Sequence, residues 1–163
     1  VIEVKRELTN LLQKLSVEFE QNPNDPLLAK TYADVIREYL RSGFLDTQST
    51  KQYRIMYIQI LQQLIDLKEA SEMTFQEKIN MELTLNNPIA AEETAMQFKK
   101  QFPLCEEAYL STLSIYFTTR SYDKLSAELS TLKASPITLS NKALTTVRYW
   151  AEVNQNNELV SHK

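Results

Sequence analysis

Glycine is nearly absent from this 163-residue chain: Gly43 is the only one, and Cys, His and Trp also occur once each. Phosphate-cradling loops and dinucleotide fingerprints need several glycines where the backbone approaches a phosphate, so nucleotide chemistry of those kinds is excluded. The one His, His162, stands beside the C-terminus and the one Cys is Cys105, so a packed catalytic His and a His/Cys metal cluster both lack their raw material. No catalytic residue, metal ligand or cofactor is expected. A lone Cys105 closes no internal disulfide and no Asn-x-Ser/Thr acceptor occurs, which together suit a reducing, cytoplasmic setting. Apolar runs reach only about four residues, too short to span a membrane, and Glu3, Lys5, Arg6 and Glu7 make the first residues unlike a secretory signal.

Nor is there an excess of one charge. Lys plus Arg is 18 against 21 Asp plus Glu, a net charge of −3, and the residues on either side of Ser71 are similarly balanced. Nucleic-acid affinity rests on clustered Lys and Arg that release counterions, so direct nucleic-acid binding is not expected.

What is present favours helix. Leu, Gln, Glu, Lys and Ala abound, and the glycines that hairpin turns need are missing, so the fold class is all-α. Over residues 1–21, Val4, Leu8, Leu11, Leu12, Leu15 and Phe19 recur at three- and four-residue spacing, an apolar stripe on a first helix. Asn22-Pro23-Asn24-Asp25-Pro26 stops it, and Asp25 reads as the N-cap of a second helix that Ser42-Gly43 ends near Arg41. A third helix over 47–69 carries one stripe of Tyr53, Tyr57, Ile60, Leu61 and Leu64 and another of Ile55, Ile58 and Ile65, so it must be covered on two sides. Helices follow over 74–85, 89–101 and 104–118, punctuated by Asn86-Asn87-Pro88 and Pro103, then over 122–134 and 139–153 around Ser135-Pro136. Residues 154–163 read as a polar tail.

Helix pairs jointed at prolines invite a search for a repeat, and a lag of 34 residues emerges. It relates Phe75, Tyr109 and Ala143; Ile79, Leu113 and Val147; and Leu83, Phe117 and Ala151. On alternate helices it relates Ala91 to Leu125, Ala95 to Leu129 and Phe98 to Leu132. The stretch 106–139, with Ala108-Tyr109, Leu113 and Tyr116-Phe117 before Tyr122-Asp123-Lys124, Leu125, Leu129, Leu132 and Pro136, resembles a tetratricopeptide repeat (TPR). A poorer copy spans 72–105, and Tyr32, Val35, Tyr39 and Gly43 match an earlier first helix. The resemblance implies a single domain over 1–153: divergent helices over 1–71, two repeat-like units over 72–139 and a closing helix over 140–153. Its helix pairs would stack antiparallel as a short right-handed solenoid; the alternative is an irregular helical bundle. The small residue that the family places at the closest helix crossing is replaced by Ile36, Ile79, Leu113 and Val147, so the helices should sit farther apart or cross differently.

In such a solenoid the first helices of the pairs line a concave wall where a peptide or partner helix lies. By resemblance that wall comprises Arg37, Leu40, Gln76, Asn80, Leu83, Leu110, Ser114, Phe117, Leu144 and Arg148. Leu83, Leu110 and Phe117 equally fit a second reading as core. Family members that bind chaperones grip a terminal carboxylate with basic and amide side chains. Asn80 matches one such amide, but Gln76, Ser111, Asn141 and Thr145 stand where the rest of that clamp belongs, so that ligand is not expected.

Other patterns have ordinary explanations. Glu92-Glu93 and Glu106-Glu107 are adjacent pairs that diverge by about 100° on a helix, and they read as first-turn acids that favour the helix dipole. Lys30, Asp34, Arg37, Glu38 and Arg41 alternate in sign at helical spacing, as on a solvated face. Val1, Val4, Leu8, Leu11 and Leu15 approach a heptad seam, which under three heptads should dock onto the second and third helices of a monomer; the alternative is a homodimer.

The leading functional reading is a non-catalytic protein–protein interaction module, part of a larger protein, that takes a peptide or helix in its groove. An alternative is a regulatory domain of a bacterial transcription activator, since some such regulators carry similar helix pairs. A third, an enzyme with carboxylate chemistry, needs a deep pocket holding two convergent acids.

Overall fold

Helix boundaries in this chain have local causes, and they produce eight helices among the residues described by the structure, a computed structural model that covers residues 1–161, with side chains through residue 155. These are α1 (Ile2–Gln21), α2 (Pro26–Arg41), α3 (Thr47–Asp66), α4 (Glu72–Thr84), α5 (Pro88–Gln101), α6 (Glu106–Thr118), α7 (Tyr122–Ala134) and α8 (Asn141–Ser161). Asp25 caps α2 by accepting from Leu27 N at 3.1 Å and Leu28 N at 3.3 Å, with Pro26 at the first position. Asp46 caps α3 through Ser49 N at 2.7 Å, and that backbone bond holds its carboxyl below the usual carboxylate range. Asn87 caps α5 through Ala90 N at 3.2 Å, which starts the helix at Pro88, one residue before the sequence places it. Reciprocal bonds between Ser71 and Thr74, at 3.1 and 3.3 Å, start α4 earlier than expected.

Three helices end on a left-handed residue that is not glycine. Lys68, Asn86 and Arg120 have φ of 61°, 58° and 57°. Behind them Glu69 N donates to Leu64 O at 3.0 Å, Asn87 N to Glu82 O at 2.9 Å and Ser121 N to Tyr116 O at 2.8 Å, each closing a Schellman turn. Asn86 and Arg120 are 34 residues apart, so the repeat shows in the backbone as well as in the side chains. A non-Gly residue in this region brings its Cβ too close to the backbone. Arg120→Gly is therefore expected to stabilise the chain by about 0.5–1 kcal/mol, and Asn86→Gly by less because Asn tolerates the conformation. Urea unfolding followed by circular dichroism checks this, and a loss of stability would mean that the Arg120 side chain contributes contacts that outweigh the strain.

The chain divides into two compact units, Val1–Met81 and Glu82–Lys163, with the division inside α4. In the first unit, α1 packs on α2 and α2 on α3. Leu12 and Leu15 meet Ala29, Tyr32, Ala33, Ile36 and Tyr39 of α2, which meet Tyr57, Ile60, Leu61 and Leu64 of α3. Phe19 stands edge-on to Tyr32 at 5.6 Å and Tyr39 to Tyr53 at 5.2 Å. The heptad seam does not dock as a whole: α1 turns Leu8, Leu12, Leu15 and Phe19 inward, while Val1, Val4 and Leu11 stay exposed. The four inward residues share one helix face, and a straight helix cannot bury the neighbouring flank against the same partner. Of the second stripe on α3, Ile65 is buried, Ile58 half-buried and Ile55 exposed.

In the second unit α6 is the hub, packing against α5, α7 and α8. Ala91, Ala95 and Phe98 of α5 and Leu125 of α7 are fully buried, as is Leu113 of α6. Positions related by the 34-residue lag are buried together: Ala91 with Leu125, Phe98 with Leu132, and Tyr109 with Ala143. The last helix runs to Ser161, past the expected end at Val153, because no Gly or Pro stops it. Asn154, expected to open a polar tail, is buried and donates to Ser126 Oγ at 2.6 Å. His162 lies outside the described residues.

Candidate functional site

In the first unit, successive turns of α2 place Lys30, Ala33, Asp34 and Arg37 on one face. Tyr57, Leu61 and Leu64 of α3 face them, and Glu69, Ser71, Met73, Thr74 and Glu77 complete a cleft of about 280 Å³ at the start of α4. Arg37 organises one end: Nη2 donates to Asp34 Oδ1 at 2.7 Å, and Nη1 reaches both Glu77 oxygens at 3.5 Å. The buried Tyr57 hydroxyl also donates to Glu77 Oε2. At the other end Lys30 Nζ donates to Glu69 Oε2 at 3.2 Å. Met73, 57% exposed, stands at the mouth. The floor is apolar and the rim is charged.

The ten residues expected along the wall fall in both units. In the first, Arg37 is half-buried in the cleft, Leu40 is half-buried against the core, Gln76 is half-buried and Asn80 is exposed. In the second, Leu110, Ser114 and Leu144 are half-buried and Arg148 is exposed. Leu83 is 37% exposed, whereas Phe117 packs against the core, with its ring 5.8 Å from Tyr149 and 6.1 Å from Trp150 of α8. The core reading thus fits Phe117 and does not fit Leu83.

Sequence reasoning left out Tyr57, Glu77 and Glu69, and assigned Lys30 and Asp34 to a solvated face. The signal within α2 was legible, since Lys30, Asp34 and Arg37 share a stripe. Glu77, the partner of Arg37 across the cleft, comes from 40 residues away, and Tyr57, which also bonds Glu77, from 20 residues before it, beyond any local pattern. Glu38 and Arg41 do form the exposed pair that the alternation suggests, at 3.8 Å.

The paired carboxylates do mixed work. Glu106 and Glu107 lie in the first turn of α6, as expected, and Glu106 Oε2 also accepts from Ser140 N at 2.9 Å. The first turn of α5 holds no acid. Glu92 lies farther along, where it accepts from Tyr116 OH at 3.0 Å and Lys124 Nζ at 3.3 Å. Burial, reinforced by Glu92, pushes the Tyr116 hydroxyl up to about 12. These are ties between helices in the second unit. A further groove, on the outer side of α1, is lined by Val4, Leu8, Leu11 and Phe44 with Glu7, Glu38 and Arg41 at its rim. Among the described residues no helix is long and apolar enough to cross a membrane, and no three His, Cys, Asp or Glu side chains converge as metal ligands.

No known family matches the sequence, and no curated protein does. Among solved structures the chain is similar to the crystal structure of a thermophilic TPR protein from Thermus thermophilus, with a TM-score of 0.54 and 12% identity over 89% of this chain and 72% of that one. That likeness shows the fold: an all-α helical repeat of TPR type.

Proposed function

We propose that the chain is a non-catalytic protein–protein interaction module whose first unit holds a peptide or partner helix along the inner faces of α2 and α4. The observation that carries this reading is the cleft around Arg37, where a charged rim surrounds an apolar floor. Such a site buries one or two anchor side chains and fixes their orientation with a few polar groups. Arg37 is the organising residue, since it ties α2 to α4 while remaining half-buried rather than sealed. Gln76 and Asn80 extend the polar surface along α4, and Leu110, Ser114, Leu144 and Arg148 offer similar chemistry on α6 and α8 of the second unit. A carboxylate-based enzyme is disfavoured because two of the acids in the cleft, Asp34 and Glu77, are both engaged by Arg37.

The test is selection of twelve-residue peptides from a displayed library on the whole chain, followed by calorimetry of the best binder. Arg37→Ala is expected to weaken that binder by about tenfold, because Asp34 and Glu77 lose the guanidinium that ties α2 to α4 and holds the cleft in shape, with unchanged far-ultraviolet circular dichroism. Equal affinity for the Arg37→Ala chain, or no selected binder at all, would overturn the reading.

A further inference from the structure

The Arg37 cleft has a chemistry that chooses among side chains. Three carboxylates, Asp34, Glu69 and Glu77, line it against two cations, Lys30 and Arg37, so it carries one net negative charge. Both cations are already engaged by these carboxylates: Arg37 by Asp34 and Glu77, and Lys30 by Glu69. An incoming anion would have to break one of those pairs and face the displaced carboxylate. An incoming cation need only share them. The carboxylates of Asp34 and Glu69 are exposed at the rim, where exchanging one ion pair for another costs little, whereas Glu77 lies deeper and is held by the Tyr57 hydroxyl.

The walls suit the rest of such a side chain. Ala33, Leu61 and Leu64 present an apolar floor, and Met73 at the mouth has the unbranched flexibility to close over a methylene stem. Lysine and arginine are built to lay an apolar stem along such a surface while keeping the charged head at a polar rim. Resting on the interaction-module reading above, we infer that the cleft receives a lysine or arginine side chain of the partner, with the stem over Leu61 and Leu64 and the head between Asp34 and Glu69.

The experiment uses the whole, isotope-labelled chain and four capped amino acids: the N-acetyl methylamides of lysine, arginine, norleucine and glutamate. Amide shifts in the nuclear magnetic resonance spectrum report where each binds. The lysine and arginine compounds are expected to shift Asp34, Glu69, Ser71 and Met73, with norleucine at least about fivefold weaker and glutamate inert there. Glu69→Gln and Asp34→Asn, both at exposed positions, should each weaken the cationic probes by about threefold and leave norleucine unchanged. Norleucine or glutamate matching the cations in the cleft overturns the inference, as do cationic probes that bind only elsewhere or not at all. Library peptides that need Arg37 yet carry no basic anchor would overturn the cation preference alone, whereas the absence of any selected peptide would sink the wider reading.

Discussion

Phe98→Ala is expected to destabilise the chain by about 3–5 kcal/mol, among the largest effects of any single truncation. Phe98 is fully buried, and its ring meets Phe102 edge-on at 6.1 Å. Removing the ring forfeits its transfer free energy and leaves a cavity that close-packed helices only partly collapse. Phe98 also stands 34 residues before Leu132, itself buried, so the loss measures a core position that the repeat defines. Leu83→Ala supplies the contrast: Leu83 is 37% exposed and should cost under about 1 kcal/mol. Urea unfolding of both variants reads the difference, and similar losses for the two would mean that burial does not set the cost of truncation.

The second large effect is electrostatic. Lys99 Nζ lies 2.6 Å from Glu128 Oε1 and 5.9 Å from the centre of the Tyr109 ring, and both members of the pair are largely buried. Glu128→Ala leaves a buried ammonium with the ring face as its remaining stabilising contact there, so the loss should be about 3 kcal/mol, the lower end for a broken buried pair. The double replacement Lys99→Met with Glu128→Leu should recover most of that loss, because apolar groups of similar shape avoid desolvating two charges. A double variant as unstable as the single one would show that the pair contributes more than its own desolvation cost.

Much of the fold was legible because its joints are built from residues with one local meaning. Asp25-Pro26 and Asn87-Pro88 start helices by accepting backbone N–H groups and by pre-setting φ, and no tertiary context changes that. Helix ends were harder. With glycine nearly absent, Lys68 and Arg120 take the left-handed position, and neither residue announces a C-terminus. The end of α8 was misplaced for a related reason: a run of Asn and Gln reads as tail, yet nothing in it forbids helix, and Asn154 is anchored by Ser126. The 34-residue lag survived because it depends on which residues are buried, and burial in a helical repeat is periodic.

The site was legible by half. Arg37 sits on α2, where local spacing exposes it, but its meaning depends on Glu77 and Tyr57, which folding alone brings near. Charge alternation is ambiguous in one dimension, since the same Lys30–Asp34–Arg37 stripe serves a solvated face or a cleft wall according to what packs opposite. Phe117 shows the reverse case. The family resemblance places it on the wall, and its neighbours on α8, Tyr149 and Trp150, draw it into packing.

Amide hydrogen exchange of the whole chain, with and without a saturating selected peptide, tests the central functional claim most directly. The peptide should slow exchange in the α2 segment around Lys30 to Arg37 and at the start of α4 from Ser71 to Asn80, with the outer face of α1 unchanged. Slowing confined to α1 between Val4 and Leu11 and to the end of α2 near Glu38 to Phe44, with Lys30 to Arg37 and α4 unaffected, would move the binding surface to the apolar outer groove and contradict the account.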